Sequence, residues 1–443
     1  MKIRSLLRLS AAILVIAASA APFLATAETP KKTLPIMTWL GPGKDLLRPE
    51  VFKKVAEAGF SVNMSFLGDR ESNLKALDLA RDAGLTLMIY DDRLAKLVED
   101  ASLPLTPLDQ IVADYKNHPA LYGYYVLDEP NASKFPRLGE IVRYLAAKDP
   151  LHPAYINLFP TYANSQQLGT ETYEQHVAAY MKTVQPAFLS YDHYPITDKG
   201  LRPDYYRNLE VIRTAANDAA TLERGSEARS SAAEPDPQAK PGASSAVPFW
   251  AFTLSVPHAI YLPPTLGRLR LQLFSDIAYG ARGLQYFTYA TPTGNDYDWK
   301  PALIDAQGRP TQSHDLARQV NAEIRAIESL VLRWKSEAVF HSEPLPEGTR
   351  PLPAGGPVRS FKNAPAVIGM FKDGADEYVM IVHRDYENDG LAVAEFDPGI
   401  RGLVEIAKDA APSASIRWAL DSPSKTAALA LGPGYARIFK IVR

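Results

Sequence analysis

Short apolar runs alternate along this chain with stretches in which apolar residues return every three or four positions. The first run, Leu34 to Trp39, is too short for a helix and reads as a strand. Helical spacing follows from Pro49 to Ala58. It stops at Gly59, a residue that readily takes the left-handed turn ending a helix. The same pair of signals then recurs. Strands are predicted at Phe60–Phe66, Leu85–Tyr90, Leu121–Leu127, Ala154–Phe159, Ala187–Asp192, Pro248–Leu254 and Gly283–Tyr289. Helices are predicted between them at Asn73–Ala83, Pro107–Tyr115, Phe135–Ala147, Tyr173–Thr183, Tyr205–Ala219 and Pro264–Gly280, and Ser313–Arg333 closes the series.

Eight strand–helix units in succession imply parallel strands, because each return to the same end of a sheet needs a crossover. The fold class expected is α/β, a (β/α)₈ TIM barrel over residues 28–337. An open doubly wound sheet is the rival; no Gly-rich phosphate turn follows the first strand to favour it. Residues 222–246 break the rhythm. Glu, Ser, Ala, Pro and Gly dominate there, and a flexible insertion is expected. From 338 to 443 the period changes to two, as in Ala366–Phe371, Tyr378–Val382 and Ala436–Ile441. Turns such as Asp373-Gly374 separate these runs, and they predict a small β-sandwich.

Composition narrows the function. With 48 Lys and Arg against 50 Asp and Glu, the formal net charge is −2, so no basic field is available for nucleic acid or anionic lipid. The chain has no cysteine, which excludes thiolate metal sites, redox thiols and Cys nucleophiles. Residues 1–27 read as a signal peptide: Lys2, Arg4 and Arg8, then an apolar run from Leu9 to Leu24, then Ala25-Thr26-Ala27. A periplasmic or secreted protein is expected, with no membrane association once the leader is removed. No cofactor and no metal is called for, and the oligomeric state is left open.

In a (β/α)₈ barrel, function collects at the C-terminal ends of the strands. That rule selects Trp39, then Tyr90 and Asp91, then Asp128 and Glu129, then Asn157. It also selects Asp192, His193 and Tyr194, then Trp250, and finally Gln285, Tyr286 and Tyr289. Sugar rings stack their apolar faces on Trp and Tyr and satisfy their hydroxyls with Asp, Asn, Gln and His. Glycosidic cleavage needs a carboxylic acid at the leaving oxygen and a second carboxylate on the other side. The rim offers both residue types. Asp91 with Asp92 also reads as a solvated turn, Asp192 with His193 as a strand-end brace, and Trp250 as barrel filling.

The run Leu121-Tyr122-Gly123-Tyr124-Tyr125-Val126-Leu127-Asp128-Glu129-Pro130 resembles the fourth-strand motif of clan A glycoside hydrolases, and the layout loosely resembles their family 42 β-galactosidases. In that clan an Asn-Glu-Pro turn carries the general acid/base, a role the resemblance gives to Glu129. Two positions depart from it. Asp128 stands where the clan has Asn. The seventh strand, through Leu254-Ser255-Val256-Pro257-His258, has no acid where the clan has its nucleophile. Asp192, ending the sixth strand, is the replacement expected, with Asp128 or Asp296 as competitors. The leading expectation is an exported glycoside hydrolase with a carbohydrate substrate. A non-catalytic sugar-binding barrel is one rival, and a metal-dependent hydrolase using Asp91, Asp92, Asp192 and His193 is another.

Overall fold

A strand covered on both faces has no polar side, and Phe249–Leu254 is buried at every position. The computed structural model describes residues 33–230, 246–294, 296–408, 417–420 and 425–443. Residues 1–27 lie outside it. Eight parallel strands close a barrel: β1 (Ile36–Trp39), β2 (Val62–Gly68), β3 (Thr86–Asp91), β4 (Leu121–Asp128), β5 (Ala154–Leu158), β6 (Leu189–Tyr191), β7 (Phe249–Leu254) and β8 (Gly283–Phe287). Each pairs with its neighbours in sequence, and β8 pairs with β1 to shut the ring.

The helices that return the chain are α1 (Pro49–Glu57), α2 (Arg70–Asp82), α3 (Asp92–Glu99), α4 (Pro107–Tyr115), α5 (Phe135–Lys148), α6 (Ser165–Leu168), α7 (Tyr173–Val184), α8 (Tyr205–Ser230), α9 (Leu266–Tyr279) and α10 (Gln312–Arg333). Sequence periodicity missed α3. Only eight residues long, it begins at a strand end where Asp91 caps the Arg93 amide, so it offered too few turns to show a period. In the segment expected to be a flexible insertion, α8 carries helix as far as Ser230. Residues 231–245 lie outside the described residues.

Two cores follow from the period-two alternation of the strands. Ile36, Tyr124, Ile156, Leu189, Ala251, Leu284 and Tyr286 pack outward with the helices. Met37, Trp39, Met64, Met88, Tyr125, Tyr155, Trp250 and Phe252 fill the barrel. Trp250 lies across Gly283, where an added Cβ would sit 2.3 Å from the indole ring, so that position takes only glycine.

Beyond α10 the chain forms antiparallel strands: β9 (Lys335–His341), β10 (Val358–Lys362), β11 (Ala366–Asp373), β12 (Asp376–His383), β13 (Gly390–Phe396), β14 (Gly402–Glu405), β15 (Arg417–Ala419), β16 (Thr426–Leu431) and β17 (Ala436–Val442). They make a six-stranded sheet, β9-β11-β12-β17-β14-β15, and a three-stranded one, β10-β13-β16. Phe361 and Phe396 of the smaller sheet share a core with Ile368, Ile381 and Phe439 of the larger. The larger sheet packs on α9 so closely that a Cβ on Gly369 would lie 2.6 Å from the Ala278 carbonyl oxygen. One residue, Trp334, joins α10 to β9. It is 1% exposed and stacks on Phe371 at 4.5 Å. Trp334→Ala is expected to cost about 3–5 kcal/mol, read as a lower unfolding midpoint in urea.

Candidate functional site

Strand parity decides which strand-end groups meet. In β5, Tyr155 and Asn157 point inward while Ile156 and Leu158 point out; in β6, Ser190 points inward. In β4 the register against β5 slips between Tyr125 and Leu127, so Asp128 falls opposite Asn157. Regular alternation from Tyr125 would have turned position 127 inward and 128 outward. The slip instead sends Val126 and Leu127 to the helices and Asp128 to the barrel mouth. Glu129 follows with φ 44°, a left-handed backbone rare for a side chain of this size, held by its amide donating to the Asn157 carbonyl at 2.9 Å.

Asp128, Glu129 and Asp192 thus converge on one cavity of about 260 Å³ at the C-terminal ends of the strands. The Asn157 side-chain nitrogen donates to Asp128 Oδ1 at 3.1 Å and to Asp192 Oδ1 at 2.9 Å. Glu129 and Asp192 line the same cavity, close enough for each to act on the ionisation of the other. Among the described residues, no Lys or Arg lines the cavity. The consequences are electrostatic. Enclosure by protein pushes Asp128 up to about 6, although water reaches it through the mouth, against the pull of Asn157 and the Glu129 amide. Desolvation, then the charge of Asp128, push Glu129 up to about 7, opposed by its contact with Asp192. Asp192, 7% exposed, is raised well above the ordinary carboxylate range by burial and by the charges of Glu129 and Asp128.

Aromatic side chains form the walls. Trp39 ends β1 and Tyr194 follows β6, as the sequence suggested. Tyr162, Phe252, His258, Tyr261, Phe287, Tyr297 and Trp299 also line the cavity and were missed. Phe252 and Phe287 could have been found by counting inward positions along β7 and β8. The others stand on loops, where only a local density of aromatics, as in Tyr297-Asp298-Trp299, marked them. Tyr162 and Tyr297 remain 38% and 51% exposed, an apolar rim open to solvent.

Several expected residues are elsewhere. Asp91 lies outside the cavity. It accepts from the Arg93 side chain at 3.0 and 2.7 Å and from the Tyr115 hydroxyl at 2.7 Å, so it braces β3 to α3 and α4. Tyr90 sits in a rim cluster against Phe66 and Tyr125. His193 is buried behind the mouth, its Nε2 3.4 Å from Asp204 Oδ1, and burial lowers its pKa. Trp250 is barrel filling, stacked on Phe188 at 4.5 Å. Gln285 lies in the barrel interior, bonded to Tyr155 and Ser190. Tyr286 and Tyr289 face outward, the first donating to Asn321 of α10 at 2.8 Å and the second packed on Phe60 and His314. Asp296 accepts from the Trp299 indole at 3.0 Å. The set Asp91, Asp92, Asp192 and His193 is not brought together, and no group of three potential ligands is placed to hold a metal among the described residues. A larger cavity, about 800 Å³ between α7 and α8, lies away from the strand ends. Its charged walls include the Glu174–Arg207 ion pair.

No protein-family model and no curated protein sequence matches the chain. Solved structures do. The chain is similar to a β-galactosidase from Bacillus circulans sp. alkalophilus, with TM-score 0.56 and 8% identity over 93% of this chain and 99% of that one. It is similar to a catalytic mutant of a GH42 β-galactosidase from G. stearothermophilus, with TM-score 0.52 and 8% identity over 93% and 98%. The β-galactosidase of the psychrophilic Marinomonas ef1 gives 0.44 and 11% over 67% of this chain, which spans 60% of that one. The first two likenesses show a fold shared with two β-galactosidases, the second of them of GH42, in keeping with the loose resemblance of the layout to family 42.

The raised carboxyls carry a linkage consequence. The unfolded chain releases these protons near pH 4, while the folded protein keeps them until about 6 at Asp128 and about 7 at Glu129. Their stabilising contribution is therefore complete below about pH 4 and is lost as pH rises through those values. Glu129→Gln removes the charge but not the shape. Melting temperature measured across pH should rise by a few degrees at pH 8 relative to wild type, and the gain should vanish toward pH 4. A gain independent of pH would contradict the assignment.

Proposed function

We propose that the protein is an exported glycoside hydrolase, with Glu129 as general acid and Asp192 as second carboxylate. The observation that carries the reading is one small cavity lined by three carboxyl groups, with no Lys or Arg among its described lining residues and with aromatic walls. Glycosidic cleavage develops positive charge on the sugar ring, and preorganised carboxylates in an enclosed site favour that charge. A carboxyl raised to about 7 is about half protonated at neutral pH and can protonate a leaving oxygen. Trp39, Phe252 and Phe287 offer faces for the apolar side of a sugar. The volume suits a single ring. β-Galactosides are the first substrates to test, because the similar solved structures are of β-galactosidases.

Carboxyls flanking a scissile bond stand about 5–5.5 Å apart for retention and roughly 6.5–9.5 Å for inversion. A sugar seated between Glu129 and Asp192 would hold them at one of these spacings. A second reading, a sugar-binding protein without turnover, is favoured by β7, which ends at Leu254-Ser255-Val256 with no acid. In both readings residues 28–337 form the barrel domain and 338–443 a β-sandwich packed on it. Residues 1–27 serve as the leader that takes the protein to the periplasm or beyond.

Turnover on a panel of glycans separates the two readings. Glu129→Gln should lower kcat by about 10²–10⁴ on substrates with poor leaving groups; unchanged turnover would remove Glu129 from the mechanism. Asp192→Ala should be inactive and regain turnover with azide, giving a glycosyl azide. If it raises KM alone and leaves kcat intact, Asp192 only binds the sugar.

A further inference from the structure

Three carboxyls line the cavity, and cleavage of a glycosidic bond uses two. Asp128 is the third. It stands where the motif it resembles has Asn, so a charged group with acceptors only takes the place of an amide of the same shape. Asn157 donates to its Oδ1 at 3.1 Å, and the residue stays exposed at the mouth. Pushed up to about 6, it is largely ionised at pH 7. That charge meets no cation on the walls, since neither Lys nor Arg lines the cavity among the described residues. Arg202 stands outside the lining and is engaged by protein. Its guanidinium lies over the Tyr162 ring at 4.4 Å, and it donates to the Tyr194 carbonyl at 3.2 Å and to the Tyr261 hydroxyl at 3.3 Å. His258 is turned to the Val256 carbonyl at 3.0 Å, and burial favours its neutral form.

The rings supply a second, independent preference. The face of an aromatic ring attracts cations, that of Trp most strongly. Trp39, Trp299, Tyr194 and Phe252 line the same space as the acids. Aromatic walls alone would suit any sugar, and acids alone would suit any cation. Here both border about 260 Å³. We infer that the cavity selects an amino sugar, its ammonium paired with Asp128, over the neutral sugar of the same shape, and rejects uronic acids and other anionic sugars. A neutral hydroxyl can also donate to Asp128. An ammonium–carboxylate hydrogen bond is roughly twice as strong, and it strengthens further where protein displaces water. The inference rests on the preceding reading only in taking the ligand to be a sugar, and it holds whether or not that sugar is cut.

The test is a ranking of dissociation constants at pH 7 by ligand-observed NMR, with D-galactosamine and D-glucosamine against galactose, glucose and the two matching uronic acids. At least one amino sugar should bind about tenfold more tightly than its neutral counterpart, and the uronic acids should bind most weakly. Added NaCl should weaken the amino sugar and leave the neutral sugar unchanged. Asp128→Asn keeps the shape and removes the charge. It should abolish the preference while moving the neutral sugar little. The wild-type ranking decides by itself if that variant does not fold. Amino sugars that bind no better than neutral ones, or that do not bind at all, would overturn the inference. So would an Asp128→Asn protein that keeps the preference. A protein that ranks the sugars as described but cleaves no glycoside would refute the glycosidase reading and leave this inference standing. One that cleaves neutral β-galactosides and binds galactose more tightly than galactosamine would do the reverse.

Discussion

One primary amide stands between two carboxyl groups, and the barrel mouth is organised around it. Three acids share a cavity that no Lys or Arg lines among the described residues. Left alone, they would repel, protonate or splay apart. The Asn157 amide gives each of two acids a donor without adding a charge, so both stay in place while the cluster remains short of positive charge. The backbone makes a matching concession at Glu129, whose left-handed φ points the third acid at the same space. Such an arrangement costs folding stability and is retained where chemistry needs it.

The same amide ties the site to the body of the barrel. Tyr155, Gln285 and Ser190 are 0% exposed, deep among the interior rings, and their hydrogen bonds satisfy one another before they reach the acids. The rigidity of a packed core is thereby delivered to groups that water can touch. The outer layer and the C-terminal sheets contribute at one remove. They hold the strands in register, and register sets which atoms face the cavity.

Most of the barrel was legible because its strands are apolar at nearly every position and its helices end at glycines such as Gly59 and Gly84. Asp128, Glu129 and Asp192 were legible from the rule that barrel chemistry sits at strand ends. Three things were not. Parity was left unused: Gln285 and Tyr286 are adjacent on a strand and cannot both face one cavity, and Tyr286 points to α10. Local pairing was invisible: Asp91 looked free beside Asp92, but Arg93, two residues on, occupies it. The loop aromatics Tyr261 and Trp299 belong to segments with no period, so nothing in spacing alone told which rings fold over the mouth. Asn157 was picked as a sugar ligand; its use as a spacer between acids depends on a register shift in a neighbouring strand.

That shift gives β4 slack in its length. Asp128 faces the cavity because a bulge absorbs the one residue more that the strand carries between Tyr125 and Leu127 than straight pairing needs. Flattened without the bulge, the same sequence would turn Asp128 outward. With the extra residue deleted instead, Leu127 would still point to the helices and Asp128 would still fall opposite Asn157. The mouth therefore accepts a change of one residue in the length of β4, while every lining ring and the Asn157 amide stay put.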